Sequence, residues 1–224
     1  YNLIFSMKKP KDTLIGMTGS LGQGKSKIGT KLAVSKLKRM RLLYALGYMN
    51  PDEIPLLYSN IPIRIKNGLL VRALLWLRPK KSKRYHSLPK FEMSVVLKYE
   101  HLVLYSRMHE YSVLFIDELG EFASQHEYKN PFIVQYLQRF FRLFRHFIDG
   151  QIIFTDQASD NITKPIRVRT NMVYNLFDFR RTFFYFYKVN VQRLFMTEET
   201  SSETSTPQEE FPFFFGHLPF KWLW

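Results

Sequence analysis

The chain contains no cysteine, which excludes a disulfide framework, zinc ribbons and thiol chemistry and fits a cytosolic setting. Its six histidines show no ligand spacing, so no transition-metal site is expected. No apolar run reaches the roughly 18 residues that a membrane-spanning helix requires. The opening stretch, Tyr1 to Met7 followed by Lys8, Lys9 and Lys11, reverses the order of a secretory signal. Acidic residues are scarce in the first half. Residues 1–110 hold 21 Lys/Arg and 6 Asp/Glu, whereas residues 111–224 hold 12 and 13. The net charge of +14 therefore belongs to the first half, a pattern that suits a polyanionic partner, an anionic membrane surface or a merely solvated face.

What is present suffices for a folded domain. Of the 224 residues, 46% are apolar and 17% aromatic, enough to build a core and too many for wholesale disorder. Thr13–Thr18 is a short apolar run bounded by Asp12 and Gly19 and predicts a buried strand. From Lys27 to about Tyr48, Ile28, Leu32, Val34, Leu37, Met40, Leu43 and Leu46 fall mostly at helical spacing. Lys31, Lys36, Lys38, Arg39 and Arg41 are expected on the other faces, with Gly47 as the stop. Leu56–Ile61 predicts a second strand ended by Pro62. Residues 64–91 carry no clear pattern beyond an apolar run from Leu69 to Leu77, followed by a basic loop at 78–84. A helix is expected near residues 93–108, a central strand over Ser112–Asp117, a helix over Asn130–Phe147 and a buried strand over Gln151–Thr155. Met172–Phe179 and Thr182–Val191, about the pair Arg180-Arg181, predict a hairpin.

The composition divides the chain into a folded domain at 1–195, a disordered acidic linker at 196–210 and an aromatic tail at 211–224. Three roles for the tail stay open: docking on a neighbouring subunit, packing on its own chain, or contact with a membrane interface.

Gly19-Ser20-Leu21-Gly22-Gln23-Gly24-Lys25-Ser26 matches the Walker A pattern in full. Glycines let backbone N–H groups curl around phosphate oxygens, Lys25 reaches the β- and γ-phosphates, Ser26 coordinates Mg2+, and the next helix, from Lys27 on, presents its positive end. About 90 residues later, four apolar residues end in Asp117-Glu118, the Walker B form. Asp117 suits the metal shell and Glu118 the general base of ATP hydrolysis. Gln157, after the following strand, is a candidate γ-phosphate sensor or a turn residue. Arg139, Arg142 and Arg145 recur every three residues, so either an arginine finger reaching a neighbouring subunit or a solvated basic face is expected.

These motifs, with Tyr58-Ser-Asn-Ile-Pro62, Glu121-Phe122, Arg145-His146 and Thr155-Asp-Gln157, resemble the zonula occludens toxin-like assembly ATPases of filamentous phages, in the FtsK–HerA branch of P-loop ATPases. The resemblance spans about residues 12–195. It implies a three-layer α/β core of the RecA-like, ASCE type, with a mainly parallel sheet and here a C-terminal β-hairpin. It also implies a homo-oligomeric ring, phage assembly proteins and DNA as partners, and ATP-driven extrusion of single-stranded DNA at the cytoplasmic face of the host inner membrane. A DNA-packaging or conjugative translocase of the same lineage shares every motif. A membrane-associated module holding nucleotide as a structural ligand is the alternative from another class.

Overall fold

The computed structural model describes residues 14–50, 52–77, 87–98, 101, 108–109, 111–123, 136–147, 150–158, 161–162, 164–167, 169–170, 172–181, 186–194 and 209–216. Its centre is a sheet of β1 (Leu14–Thr18), β2 (Leu57–Ser59), β5 (Val95–Val96), β6 (Val113–Ile116), β7 (Gln151–Thr155), β8 (Met172–Arg181), β9 (Phe186–Leu194) and β10 (Glu209–Gly216). The strand order is β10-β9-β8-β1-β7-β6-β2-β5. The six strands from β8 to β5 run parallel, and β9 and β10 are added antiparallel at one edge. β3 (Arg64–Lys66) and β4 (Phe91–Met93) form a separate antiparallel pair.

Every residue of β1, β2, β6 and β7 is buried, as parallel strands covered on both faces require. Alternate residues serve different cores. Ile15, Met17, Phe115 and Ile153 pack with Ile28, Ala33 and Leu37 of helix α1 (Lys25–Leu46). Leu14, Leu114, Ile152 and Phe154 pack with Phe140, Phe141 and Phe144 of α4 (Gln138–Phe147) and with Ile166 of α5 (Lys164–Arg167). The period of two along a strand thus makes three layers from one sheet. The short helix α3 (Gly120–Ala123) follows β6, and α2 (Leu69–Leu77) lies against α1.

α1 ends as its sequence predicts. Gly47 is left-handed, its N–H bonds to the Tyr44 carbonyl at 3.0 Å, and the Tyr48 N–H reaches the Leu43 carbonyl at 3.1 Å, a Schellman closure. One expectation for this helix fails. Arg41 is 1% exposed rather than on the solvent side. Its guanidinium donates to the Pro55 carbonyl from Nε (3.1 Å) and Nη2 (3.0 Å), to Asn67 Oδ1 from Nη1 (2.5 Å), and pairs with Glu92. Asn67 in turn donates to the Pro89 carbonyl at 2.7 Å, so α1 is tied to the β3–β4 pair through buried, satisfied polar groups.

The helix expected near 93–108 does not begin there. Ser94 is held extended by its Oγ, which accepts the Ile63 N–H at 3.0 Å, and the β-branched pair Val95-Val96 adds to the sheet beside β2. Residues 102–107 lie outside the described set, as do the basic loop 78–84 and positions 130–135 of the helix expected over Asn130–Phe147. The hairpin forms, but Arg180 and Arg181 sit within β8, paired with Lys188 and Tyr187, rather than at its turn. β10 runs across the compositional boundary at 210 and pairs with β9 from Glu209 to Gly216. Pro212 is tolerated because β10 is an edge strand.

Candidate functional site

The loop from Gly19 to Gly24 joins the end of β1 to the start of α1. Gly19, Gly22 and Gly24 have φ of 143°, 81° and 75°, values that side chains disfavour. A Cβ at Gly19 would also collide with the Leu176 carbonyl. α1 begins with no side-chain cap and no acidic residue in its first turn. Its first amides have no partner within the helix and face the loop with the positive end of the helix dipole. Lys25, 7% exposed, donates from Nζ to the carbonyls of Gly19 (2.6 Å) and Ser20 (2.8 Å). Ser20, Leu21 and Gly22 are exposed, and Gln23, Gly24, Ser26 and Lys27 are half-buried.

β7 lies between β1 and β6, so the acid-bearing strand stands one strand away from the phosphate loop. The fold is that of a P-loop NTPase. No protein-family model matches the chain, and no curated protein matches it in sequence. Among solved structures, it is similar to the N-terminal domain of zonular occludens toxin from Neisseria meningitidis, at 14% identity over 93% of this chain and 96% of that one, with a TM-score of 0.46. It is similar to B204, the DNA-packaging ATPase of Sulfolobus turreted icosahedral virus, at 14% identity over 95% and 99%, TM-score 0.45. It is also similar to the flagellar accessory protein FlaH of Methanocaldococcus jannaschii, at 14% identity over 90% and 84%, TM-score 0.42.

In this P-loop fold the turn after β6 is fixed amide by amide. The Asp117 N–H bonds to Asn60 Oδ1 at 2.8 Å, while Asn60 Nδ2 donates to the Asp117 carbonyl at 2.8 Å. The Glu118 N–H bonds to Thr155 Oγ1 at 3.1 Å and the Leu119 N–H to the Thr155 carbonyl at 2.8 Å. The Gly120 N–H bonds to Asp156 Oδ2, an approach so close that a Cβ at Gly120 would strike that carboxylate. Four consecutive amides are thus held by residues at the ends of β2 and β7. Glu118 has φ 54°, left-handed and unusual for a residue with a side chain. The neighbouring bonds hold it there.

The Asp117 carboxylate accepts the Thr155 hydroxyl proton at 2.5 Å. Asp156, 3% exposed, accepts the Gln157 N–H at 2.7 Å and Asn161 Nδ2 at 3.1 Å, and its own N–H reaches the Met17 carbonyl at 2.9 Å. Burial pushes the Lys25 ammonium pKa down, against the opposing pull of Glu118, Asp117 and Asp156. Burial, then Glu121 and Asp117, push the Glu118 carboxyl above the ordinary range, and Lys25 opposes this. Lys25 therefore senses three carboxylates, and Glu118 senses Glu121 as well, across the carboxyl edge of the sheet.

The residues fit a nucleoside triphosphate with Mg2+. Uncapped amides and Lys25 suit phosphate oxygens, and Ser26 with Asp117 offers oxygen donors of the kind Mg2+ takes. The Gln157 side chain is exposed; its backbone carbonyl accepts the Gly19 N–H at 3.2 Å, joining the β7 turn to the phosphate loop. Arg139 and Arg142 are exposed on α4, and Arg145 lies in its last turn, just before the start of β7 at the opposite edge from the phosphate loop. Asn60, Thr155 and Asp156 stand in the sequence only as members of the motifs Tyr58–Pro62 and Thr155–Gln157, without a role in the site, and Gly120 stands in none. Their signal is position: three are polar residues at or just beyond the ends of strands flanking the acidic turn.

Proposed function

We propose that the chain is an ATP-hydrolysing motor of filamentous phage assembly that extrudes single-stranded DNA. The observation that carries the hydrolytic part is the clamped Asp117-Glu118 turn, whose acids interact electrostatically with the phosphate-loop Lys25. When bound, Mg2+ neutralises charge on the β- and γ-phosphates. The amides at the start of α1 and Lys25 orient the phosphates, and Ser26 and Asp117 are the residues that would hold Mg2+. Glu118 accepts a proton from the water that attacks the γ-phosphorus as the bond to the β-phosphate oxygen breaks. Its raised pKa makes it a better base than an ordinary glutamate.

The motor assignment draws on the motif set shared with zonula occludens toxin-like ATPases and on the cationic first half, including exposed Lys38 and Arg39 of α1. In a homo-oligomeric ring, Arg142 or Arg145 would complete a neighbour's site, with Gln157 as the γ-phosphate sensor. Phage assembly proteins as partners and a place at the cytoplasmic face of the host inner membrane belong to the same proposal. The test is ATPase activity with and without DNA across a salt series. Stimulation by single-stranded DNA that fades with salt supports extrusion, because phosphate contacts release counterions. Stimulation by duplex DNA alone would instead favour a packaging translocase, and hydrolysis in no condition would refute the motor.

A further inference from the structure

Donors from two separate turns converge on the carboxylate of Asp156, which stands just past the end of β7 and is buried. Its Oδ1 accepts the amides of Gln157 (2.7 Å) and Ala158 (3.4 Å) and the side-chain amide of Asn161 (3.1 Å). Its Oδ2 accepts the Gly120 amide of the acidic turn, 36 residues away in sequence. Only a group that accepts on both oxygens serves both turns. An asparagine in its place would set an NH2 group against an N–H on one side.

Gly120 is fitted to the same contact. Its φ is not positive, so backbone freedom does not call for glycine there. A Cβ at Gly120 would instead meet Asp156 Oδ2 at 2.6 Å. The missing side chain is what lets the acidic turn close on the carboxylate.

The segment bearing Asp156 is also joined to the phosphate loop. The Asp156 N–H reaches the Met17 carbonyl at 2.9 Å, and the Gln157 carbonyl accepts the Gly19 N–H at 3.2 Å. A continuous run of bonds thus leads from Gly19 through Gln157 and Asp156 to Gly120, two residues after Glu118. A local Asx turn needs only the Oδ1 bonds. The Oδ2 bond adds nothing to that turn and restrains the acidic one.

We infer that Asp156 is a positioning residue that couples occupation of the phosphate loop to the placement of Glu118. It acts through the Gly120 amide: phosphate held by the loop restrains Gly19, and the Gln157–Asp156 link carries that restraint to the acidic turn. The inference rests on the hydrolytic reading above, in which Glu118 is the base.

The full chain is compared with D156N and G120A, each also in an E118Q background. G120A removes no polar group and pushes the acidic turn off the carboxylate, so it tests the same link if D156N folds poorly. Single-turnover ATP hydrolysis should fall about 10- to 100-fold in either variant, with the Kd for ATP and Mg2+ within about threefold of wild type. In the E118Q background neither substitution should lower the residual rate further, because both act through Glu118. Amide hydrogen exchange gives a readout that needs no turnover. A non-hydrolysable ATP analogue should slow exchange at residues 118–120 in wild type but not in D156N or G120A, while protection of residues 19–26 persists in all three.

Hydrolysis within about twofold of wild type in both variants overturns the inference, as does an equal further loss in the E118Q background. A loss of ATP binding that matches the loss of rate also overturns it. An inactive wild type refutes the motor instead, and exchange at 118–120 then decides the coupling. Protection absent from wild type, or retained in both variants, overturns it.

Discussion

Asn60 grips Asp117 at two points, accepting its N–H and donating to its carbonyl, both at 2.8 Å. The amide side chain continues the β2–β6 pairing one residue past the point where β2 ends at Ser59. It does what a strand backbone would do, in a place where the chain must already turn toward Pro62. Asn60→Ala leaves both backbone groups without this partner, at about 1–3 kcal/mol of local stability. Turnover should fall about tenfold or more while nucleotide affinity changes little. Steady-state kinetics beside calorimetric nucleotide titration will check this.

Thr155 serves the same turn from the other side, through its hydroxyl to Asp117 and as acceptor for the Glu118 N–H. Thr155→Val keeps the shape of a fully buried residue and removes both bonds. A loss of about 10- to 100-fold in kcat is expected, as for two hydrogen bonds to groups that must be positioned. An unchanged thermal midpoint with that loss would locate the effect in the site; unchanged kcat would refute the positioning role.

Glu118 should set the acid side of the pH profile. A base acts when deprotonated, and its pKa is raised first by burial and then by Glu121 and Asp117. The acid limb of kcat therefore falls at a higher pH than an unperturbed glutamate would give. Glu121→Gln removes a repelling charge, lowers the Glu118 pKa and moves the limb to lower pH. A limb that stays fixed in the variant contradicts the assignment.

Buried Arg41 is a stability residue. Arg41→Ala strands Glu92, Asn67 and the Pro55 carbonyl, and should lower unfolding free energy by about 3 kcal/mol. Urea denaturation monitored by circular dichroism reads this directly.

The phosphate loop, the acidic turn and the strands that carry them were legible because each is a local pattern: glycines where φ is positive, apolar runs ending in acid. Helix α1 was legible from spacing and from Gly47. Arg41 was not, since its burial depends on Pro55, Asn67 and Glu92, which are distant in sequence. β3 and β4 escaped because three-residue strands are too short for periodicity to register. Asn60 and Thr155 were visible as residues but not as a clamp, because only the sheet order sets β2 and β7 on either side of β6.

The central claim is that Glu118 activates water at a phosphate loop built by Gly19–Ser26. The most direct measurement compares ATP binding and single-turnover hydrolysis in wild type, Lys25→Ala and Glu118→Gln. The account predicts that wild type hydrolyses ATP and that Lys25→Ala neither binds it tightly nor turns it over. Glu118→Gln should bind it with affinity near wild type while hydrolysis falls by about 100-fold or more. Hydrolysis by Glu118→Gln at the wild-type rate would contradict the account.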